Sequence, residues 1–358
     1  MSFINIKIKN YLYIFFIILV SFFTEFSTNF ALSKSYNISN VKLEETYNLN
    51  FDRTKVIEYG FEKAFHILVY KLIEKKDRIK FEKTSLQEIK ALINTFSVSE
   101  EKFLNDKYKS LLDVDFNKNK FYKFIQNNNV KPSIPEEINT LIIPIFVNRL
   151  NNEMYYLNGN KFYEKWNKNL KNYFLIKYHF PNEDIEDYIL IKSKINDIEN
   201  YKFEEIIKKY NFDNNIILTV FVDKNKINIF SRFSLKENEF LLNKKIESFN
   251  KKNEKDVEKV ILDIQETYED IVKSQNKINT SIKINIYLEI NSSNYNTSQK
   301  LENILSDFEL IYDYEIKSID NKNITYNITY NGLPENLYKY LTNKGFVINN
   351  SKEIWNIK

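Results

Sequence analysis

The chain has 358 residues, 43% hydrophobic and 16% aromatic, which is enough to bury two or three cores rather than one. Its formal charge is +4, but lysines and acidic residues alternate throughout, and the absence of a basic patch or stripe argues against nucleic acid as a partner. There is no Cys, which excludes disulfides, thiolate catalysis, zinc–thiolate sites and a lipidated N-terminal Cys.

Lys7 and Lys9 precede an apolar run from Tyr11 to Phe23 that only Ser21 interrupts, and Ala31-Leu32-Ser33 offers a small-x-small cleavage site. The run is too short for a membrane-spanning helix, which needs about 20 residues. Residues 1–33 therefore read as an export signal, with the mature chain beginning at Lys34 in the periplasm. An uncleaved signal acting as an inner-membrane anchor is the one expected route to the membrane.

Residues 34–50 are polar and Asn-rich and read as an exposed lead-in. Ile57, Phe61, Ala64, Leu68 and Leu72 fall at helical spacing and predict a long helix over 54–76, capped by Asp52 or Thr54. Gly60 inside it costs about 1 kcal/mol relative to Ala, which predicts close packing there. Ser85-Leu-Gln-Glu88 is a capping box opening a second helix through Phe96.

Tyr108, Ser110, Leu112, Val114 and Phe116 share one face of a strand. Asn117 caps the short helix that follows, and Asn127-Asn128-Asn129 ends it. Leu141 to Val147 is an apolar strand in which Pro144 predicts an edge position or a bulge. Beyond it, Phe162–Leu170 reads as helix, Tyr188–Ile191 as a short strand and Phe203–Tyr210 as helix. Ile216–Val222 and Ile227–Phe233 form a hairpin turned at Asp223–Lys226.

Val257, Val260, Ile261, Ile264, Tyr268, Ile271 and Val272 predict a long helix over 254–276, bridging to the C-terminal module. There a strand (Ile282–Ile290), a helix (Thr297–Ser306), two strands (Leu310–Ile319 and Ile324–Tyr330), a helix after Pro334 and a last strand from Phe346 give the order β-α-β-β-α-β, the ferredoxin-like split βαβ arrangement. The expected fold class is α/β (α+β) in several small mixed modules: 1–33 signal, 34–135 an N-terminal helical and strand module, 136–250 a middle mixed module, and 251–358 the long helix plus the split βαβ module.

Four stretches, in their order and spacing, resemble a bacterial exported-protein family known as domain of unknown function 2066. They are the helix around Gly60 and Ala64 with the Ser85 helix after it; Tyr108–Phe116 with the helix ending near Val130; Leu141–Val147 with the Asn158-Gly159 turn and the Trp166 helix; and Tyr330-Asn-Gly332, a helix and Gly345. The first helix departs from the Ala-rich pattern of that family, since Ala64 is its only Ala. The resemblance implies an envelope location and this architecture, and it transfers no catalytic residue.

The reactive residue types read as structural. His66 sits beside Phe65 and Ile67 on a helix, and His179 has no His nearby, so neither suggests zinc. Asp113 and Asp115 point to one face of a strand, which suits a metal, an acid–base pair or the solvent face of a half-buried strand; the last reading is preferred. Glu183-Asp184 and Glu186-Asp187 lack the spacing of a calcium loop and suit the start of a helix. Gly60, Gly159, Gly332 and Gly345 are too scattered for a phosphate loop. Trp166 and Trp355 read as core. No residue is assigned a catalytic, cofactor-binding or metal-ligating role, and no cofactor is expected. The expected function is non-enzymatic binding or assembly in the cell envelope, with a protein or glycan partner. The alternatives are a carboxylate-dependent hydrolase using Asp113, Asp115 or the 183–187 cluster, and a carrier of a small envelope ligand.

Overall fold

The alternation from Tyr108 to Phe116 organises the first core. Strand β3 (Lys107–Phe116) lies between β1 (Asn37–Thr46) and β2 (Ile93–Leu104), both antiparallel to it. Its inward residues Tyr108, Leu112, Val114 and Phe116 pack under helix α1 (Arg53–Leu72), which buries Ile57, Phe61, Ala64, Leu68 and Leu72. Asp52 caps α1 by accepting from the Thr54 and Lys55 amides. A Cβ at Gly60 would collide with Leu112 Cδ2 and stand 3.1 Å from Leu43, so the helix passes the sheet closely enough that any other residue there requires these leucines to shift. Helix α2 (Lys75–Arg78), helix α3 (Leu86–Leu92) with its Ser85–Glu88 capping box, and helix α4 (Lys118–Asn127), capped by Asn117, complete the unit.

The computed structural model describes residues 36–151, 153–168, 170–278 and 283–357 and is an α+β protein with three sheets. The expected export signal and Lys34 lie outside the described residues. Among those described, no helix is long and apolar enough to cross a membrane.

Two N-terminal expectations are corrected. Residues 37–46 are not a lead-in but strand β1, with Tyr36, Ile38, Val41 and Leu43 buried. A bulge between Ile38 and Val41, with Asn40 at φ 58, breaks the period-2 signal that would have revealed the strand. The Ser85 helix stops at Leu92 rather than Phe96, because Ile93, Thr95, Phe96 and Val98 are β-branched or aromatic residues that suit the pleated edge of a sheet.

The middle sheet is built on β4 (Ile138–Asn148), which runs parallel to β7 (Asn214–Asp223). Beyond β7, the strands β8 (Lys226–Leu235) and β9 (Asn238–Ile246) follow as an antiparallel meander. Helix α8 (Glu254–Gln275) covers one face, together with Phe162 and Trp166 of α5 (Lys161–Trp166). Helices α6 (Ile185–Ser193) and α7 (Glu204–Tyr210) cover the other. Burial on both faces explains the unbroken apolar run of β4.

The Tyr188–Ile191 segment is therefore helix rather than strand, with Asp184 as its cap. The long helix belongs to the core of the middle sheet rather than to the C-terminal module.

Pro144 lies in an interior strand, not at an edge, and pairs in register with Leu218. On the side away from β7, β6 (Ile176–His179) pairs only as far as Leu141, and β5 (Glu153–Tyr155) begins at Phe146. Pro144 falls in the interval between them. The N and O of one strand residue point the same way, and Pro144 O is met there by Asn160 Nδ2 at 3.2 Å, so the absent N–H leaves no ladder bond unmade.

The C-terminal sheet has the order β11 (Ile311–Ile319), β12 (Asn323–Tyr330), β10 (Ile284–Asn291), β14 (Ile354–Ile357), β13 (Ile348–Asn349). Helices α9 (Tyr295–Asp307) and α10 (Pro334–Asn343) bury Leu301, Leu305, Leu337 and Leu341 against it. Its end differs from a plain split β-α-β-β-α-β chain. Strand β13 leaves α10 in the expected direction, but the chain then reverses, and β14 inserts between β13 and β10, parallel to β10. Trp355 of β14 is thereby buried, and Trp166 is wholly buried in the middle core.

Candidate functional site

The N-terminal and C-terminal units meet through a buried carboxylate. Glu309, just before β11, places Oε2 3.0 Å from the Tyr36 hydroxyl and 3.3 Å from that of Tyr122, and the two hydroxyls are 2.5 Å apart. Burial, with the neighbouring phenol and carboxylate, pushes the Tyr36 phenol up. Lys118 Nζ donates to the Phe308 carbonyl at 2.8 Å, and burial lowers its pKa.

Beside this joint is a cleft of about 310 Å³, lined by Tyr36, Asn94, Asp115, Asn117, Lys118 and Asn119 from one unit and by Ser306 and Tyr312–Tyr314 from the other. Asp115 is 7% exposed. Its carboxylate accepts from Asn94 Nδ2 at 3.3 Å, Asn94 Oδ1 accepts from Asn117 Nδ2 at the same distance, and Asn117 Oδ1 caps α4 through the Lys120 amide. Burial raises the Asp115 pKa, and the Asn94 bond opposes that only in part. On the opposite wall Ser306 Oγ and Tyr314 OH are 2.8 Å apart. A poorly compensated carboxylate among amides, hydroxyls and aromatic rings can accept hydrogen bonds from a small polar ligand, and a cleft of this size holds one.

Asp113 and Asp115 do share a strand face, but the structure separates their roles. Asp113 Oδ1 accepts from the Asn40 amide at 2.7 Å and so holds the β1 bulge, while Asp115 turns to the cleft. His66 is half-buried, with Phe65 and Tyr70 against its ring. His179 Nε2 is 2.9 Å from Asn139 Oδ1, its ring packing on Phe212. In the 183–187 cluster, Asp184 caps α6 and Asp187, nearly inaccessible, meets Lys209 Nζ at 2.5 Å. Among the described residues no group of His, Cys, Asp and Glu is placed to hold a metal ion.

The densest buried charges lie elsewhere and serve the fold. Glu269 accepts from the Leu175 and Ile176 amides, Lys273 Nζ donates to Tyr70 O, and Arg78 bonds Ile73 O and Glu266. Reading the sequence did not single out Asn94, Lys118, Tyr312 or Glu309, and it took Asn117 only as a helix cap. They come from segments about 200 positions apart, and in a chain so rich in Asn, Lys and Tyr none of them stands out by type. No protein-family model matches the chain, and no curated protein sequence matches it.

Proposed function

We propose that the chain is an exported binding protein of the bacterial cell envelope, acting in the periplasm by recognition rather than by chemistry, and that the Asp115 cleft takes a hydroxyl-rich group such as a short glycan segment. The location rests on the N-terminal segment and on the resemblance to domain of unknown function 2066. The observation that carries the cleft assignment is the buried Asp115 carboxylate with a single long hydrogen bond, facing a polar, aromatic-edged hollow. Sugars offer several hydroxyl donors to a carboxylate and amides, and an apolar ring face to Tyr312 and Tyr314. The polar face of the C-terminal sheet, with Asn285, Tyr287 and Glu289 of β10 opposite the helix-facing Ile286, Leu288 and Ile290, extends the surface available to a larger envelope partner.

The test is a thermal-shift titration with envelope glycan fragments. A ligand that binds only the folded state raises the melting temperature with concentration, and Asp115→Asn should abolish the rise. If no fragment shifts the wild type at millimolar concentration, the reading fails. The raised pKa of Asp115 also favours carboxylate-dependent hydrolysis as a second reading, with Asp313 on the opposite wall. Mass spectrometry of the recovered fragment separates the two: binding returns it intact, hydrolysis returns it cleaved.

A further inference from the structure

The edges of the three sheets are guarded very differently. An edge strand presents open N–H and C=O groups and is ordinarily blunted by charges, Pro or bulges. Strand β1 carries the Asn40 bulge with Lys42, Glu44 and Glu45. Strand β11 has two bulges and Asp313, Glu315 and Lys317. Strand β9 has Glu239, Lys244 and Lys245, and β13 is two residues long. Strand β2 is guarded only at its two ends. Between a bulge after Ile93 and a second one, with Glu100, Glu101 and Lys102, after Ser99, its pairing with β3 is regular from Thr95 to Ser99, and that stretch has no charge and no Pro.

The exposed stretch is patterned. Phe96 and Val98 pair with Val114 and Leu112 and so stand on the helix side, whereas Thr95, Ser97 and Ser99 stand on the other. The Phe96 ring packs edge-on against Phe61 at 4.9 Å and yet is 51% exposed.

We propose that β2 pairs antiparallel with β2 of a second copy about a two-fold axis at Ser97, joining two three-stranded sheets into one of six strands. Residues that oppose each other must share a face, because a slip of one residue would turn every side chain over. Centring on Ser97 sets Phe96 against Val98 on the helix side and Thr95 against Ser99 on the other, apolar to apolar and hydroxyl to hydroxyl. Centring on Val98 instead would set Phe96 against Glu100. A second copy is the favoured occupant because the stretch complements itself in this register, and it brings an apolar side chain over the open half of Phe96. A single strand edge buries less than a standard interface of about 1,600 Å², so the dimer is expected to be weak.

Sedimentation of the full chain over a concentration series tests this. Ser97 is exposed and lies opposite Asp113 on β3, so S97D would set four carboxylates abreast across the two-fold axis. We expect it to weaken association at least tenfold, and an equimolar mixture of S97D with S97K to restore a heterodimer. If S97D alone disturbs folding in a thermal melt, T95K/S99K serves in its place, since its introduced ammonium groups oppose each other only in the dimer. A wild type that stays monomeric to millimolar concentration, or variants that associate as tightly as the wild type, would overturn the proposal.

Discussion

The Lys273 ammonium lies 2.6 Å from the carbonyl oxygen of Tyr70, 203 positions earlier, and joins the last turn of α8 to the end of α1. One turn back along α8, the wholly buried Glu269 accepts from the Leu175 and Ile176 amides and starts β6. The lysine thus ties the middle unit to the N-terminal one, while the glutamate holds β6 to α8 within the middle unit. A buried polar group stranded without its partner costs about 1 to 3 kcal/mol. Lys273→Met takes the donor from the Tyr70 carbonyl and is expected to lower the unfolding free energy by about 1 to 3 kcal/mol in urea titrations at pH 7.

The same lysine has a pH consequence. Burial brings its pKa down to about 8 from 10.5, so between those values the unfolded chain binds the proton more tightly than the folded one. Stability from this group then rises with pH through that window. The gap between wild type and Lys273→Met should widen from pH 7 to pH 9.5. A gap that narrows would show that the ammonium is better accommodated than its burial implies.

Glu309 plays the matching part at the other joint. Both phenol hydroxyls of Tyr36 and Tyr122 turn to it. Glu309→Ala would leave one of the two buried hydroxyls without an acceptor, the other still donating to its neighbour, at a cost of about 1 to 3 kcal/mol. The expected outcome is a separate, earlier unfolding step of the C-terminal unit, together with faster amide exchange at Phe116, whose N–H bonds Tyr36 O. Unchanged single-step unfolding would show that Leu310 packing and the Lys118–Phe308 bond suffice to hold the units together.

How much of this was legible in the sequence follows from the range of the interactions. The α1 and α8 stripes, the Tyr108–Phe116 face, the β7–β8 hairpin and the helix–strand order of the C-terminal unit are set by neighbours within a few residues, and periodicity carries them. Strand β1 was hidden by a one-residue bulge at Asn40, and Tyr188–Ile191 by being apolar in a short window where strand and helix look alike. The Pro144 expectation failed in an informative way: its neighbouring strands stop short on one side, which only the tertiary arrangement reveals. The Asp115 cleft was half visible. The carboxylate stood out on its strand, but the amides and tyrosines around it arrive from β2, α4 and β11 by folding.

Gly60 offers a test of packing against propensity. Ala at that position gains about 1 kcal/mol in helix propensity, yet its Cβ would enter the space of Leu112 and Leu43. Overpacking of a core typically costs about 1 to 3 kcal/mol. Gly60→Ala is expected to lower the melting temperature despite the better helix former. A rise would show that α1 can shift away from the sheet freely.

Asp115→Asn separates ligand recognition from stability at the cleft. The folded-state pKa of Asp115 is raised by burial above its ordinary 3.8, so the stability this group contributes is fully present below that value and is lost as pH climbs through the folded pKa. At pH 7 the ionised carboxylate therefore weighs against folding, as is common where a site is shaped for a ligand. The amide keeps the size of the side chain and a partner for Asn94 while removing the charge. The variant should be more stable than the wild type at pH 7, with the difference shrinking as pH falls below 3.8, where the carboxyl becomes neutral in both the folded and the unfolded chain. Paired urea unfolding curves at pH 7 and below pH 3.8 measure this directly. A variant less stable than the wild type at pH 7 would mean that the carboxylate is held by partners as a structural group, and the cleft would lose its claim to be a binding site.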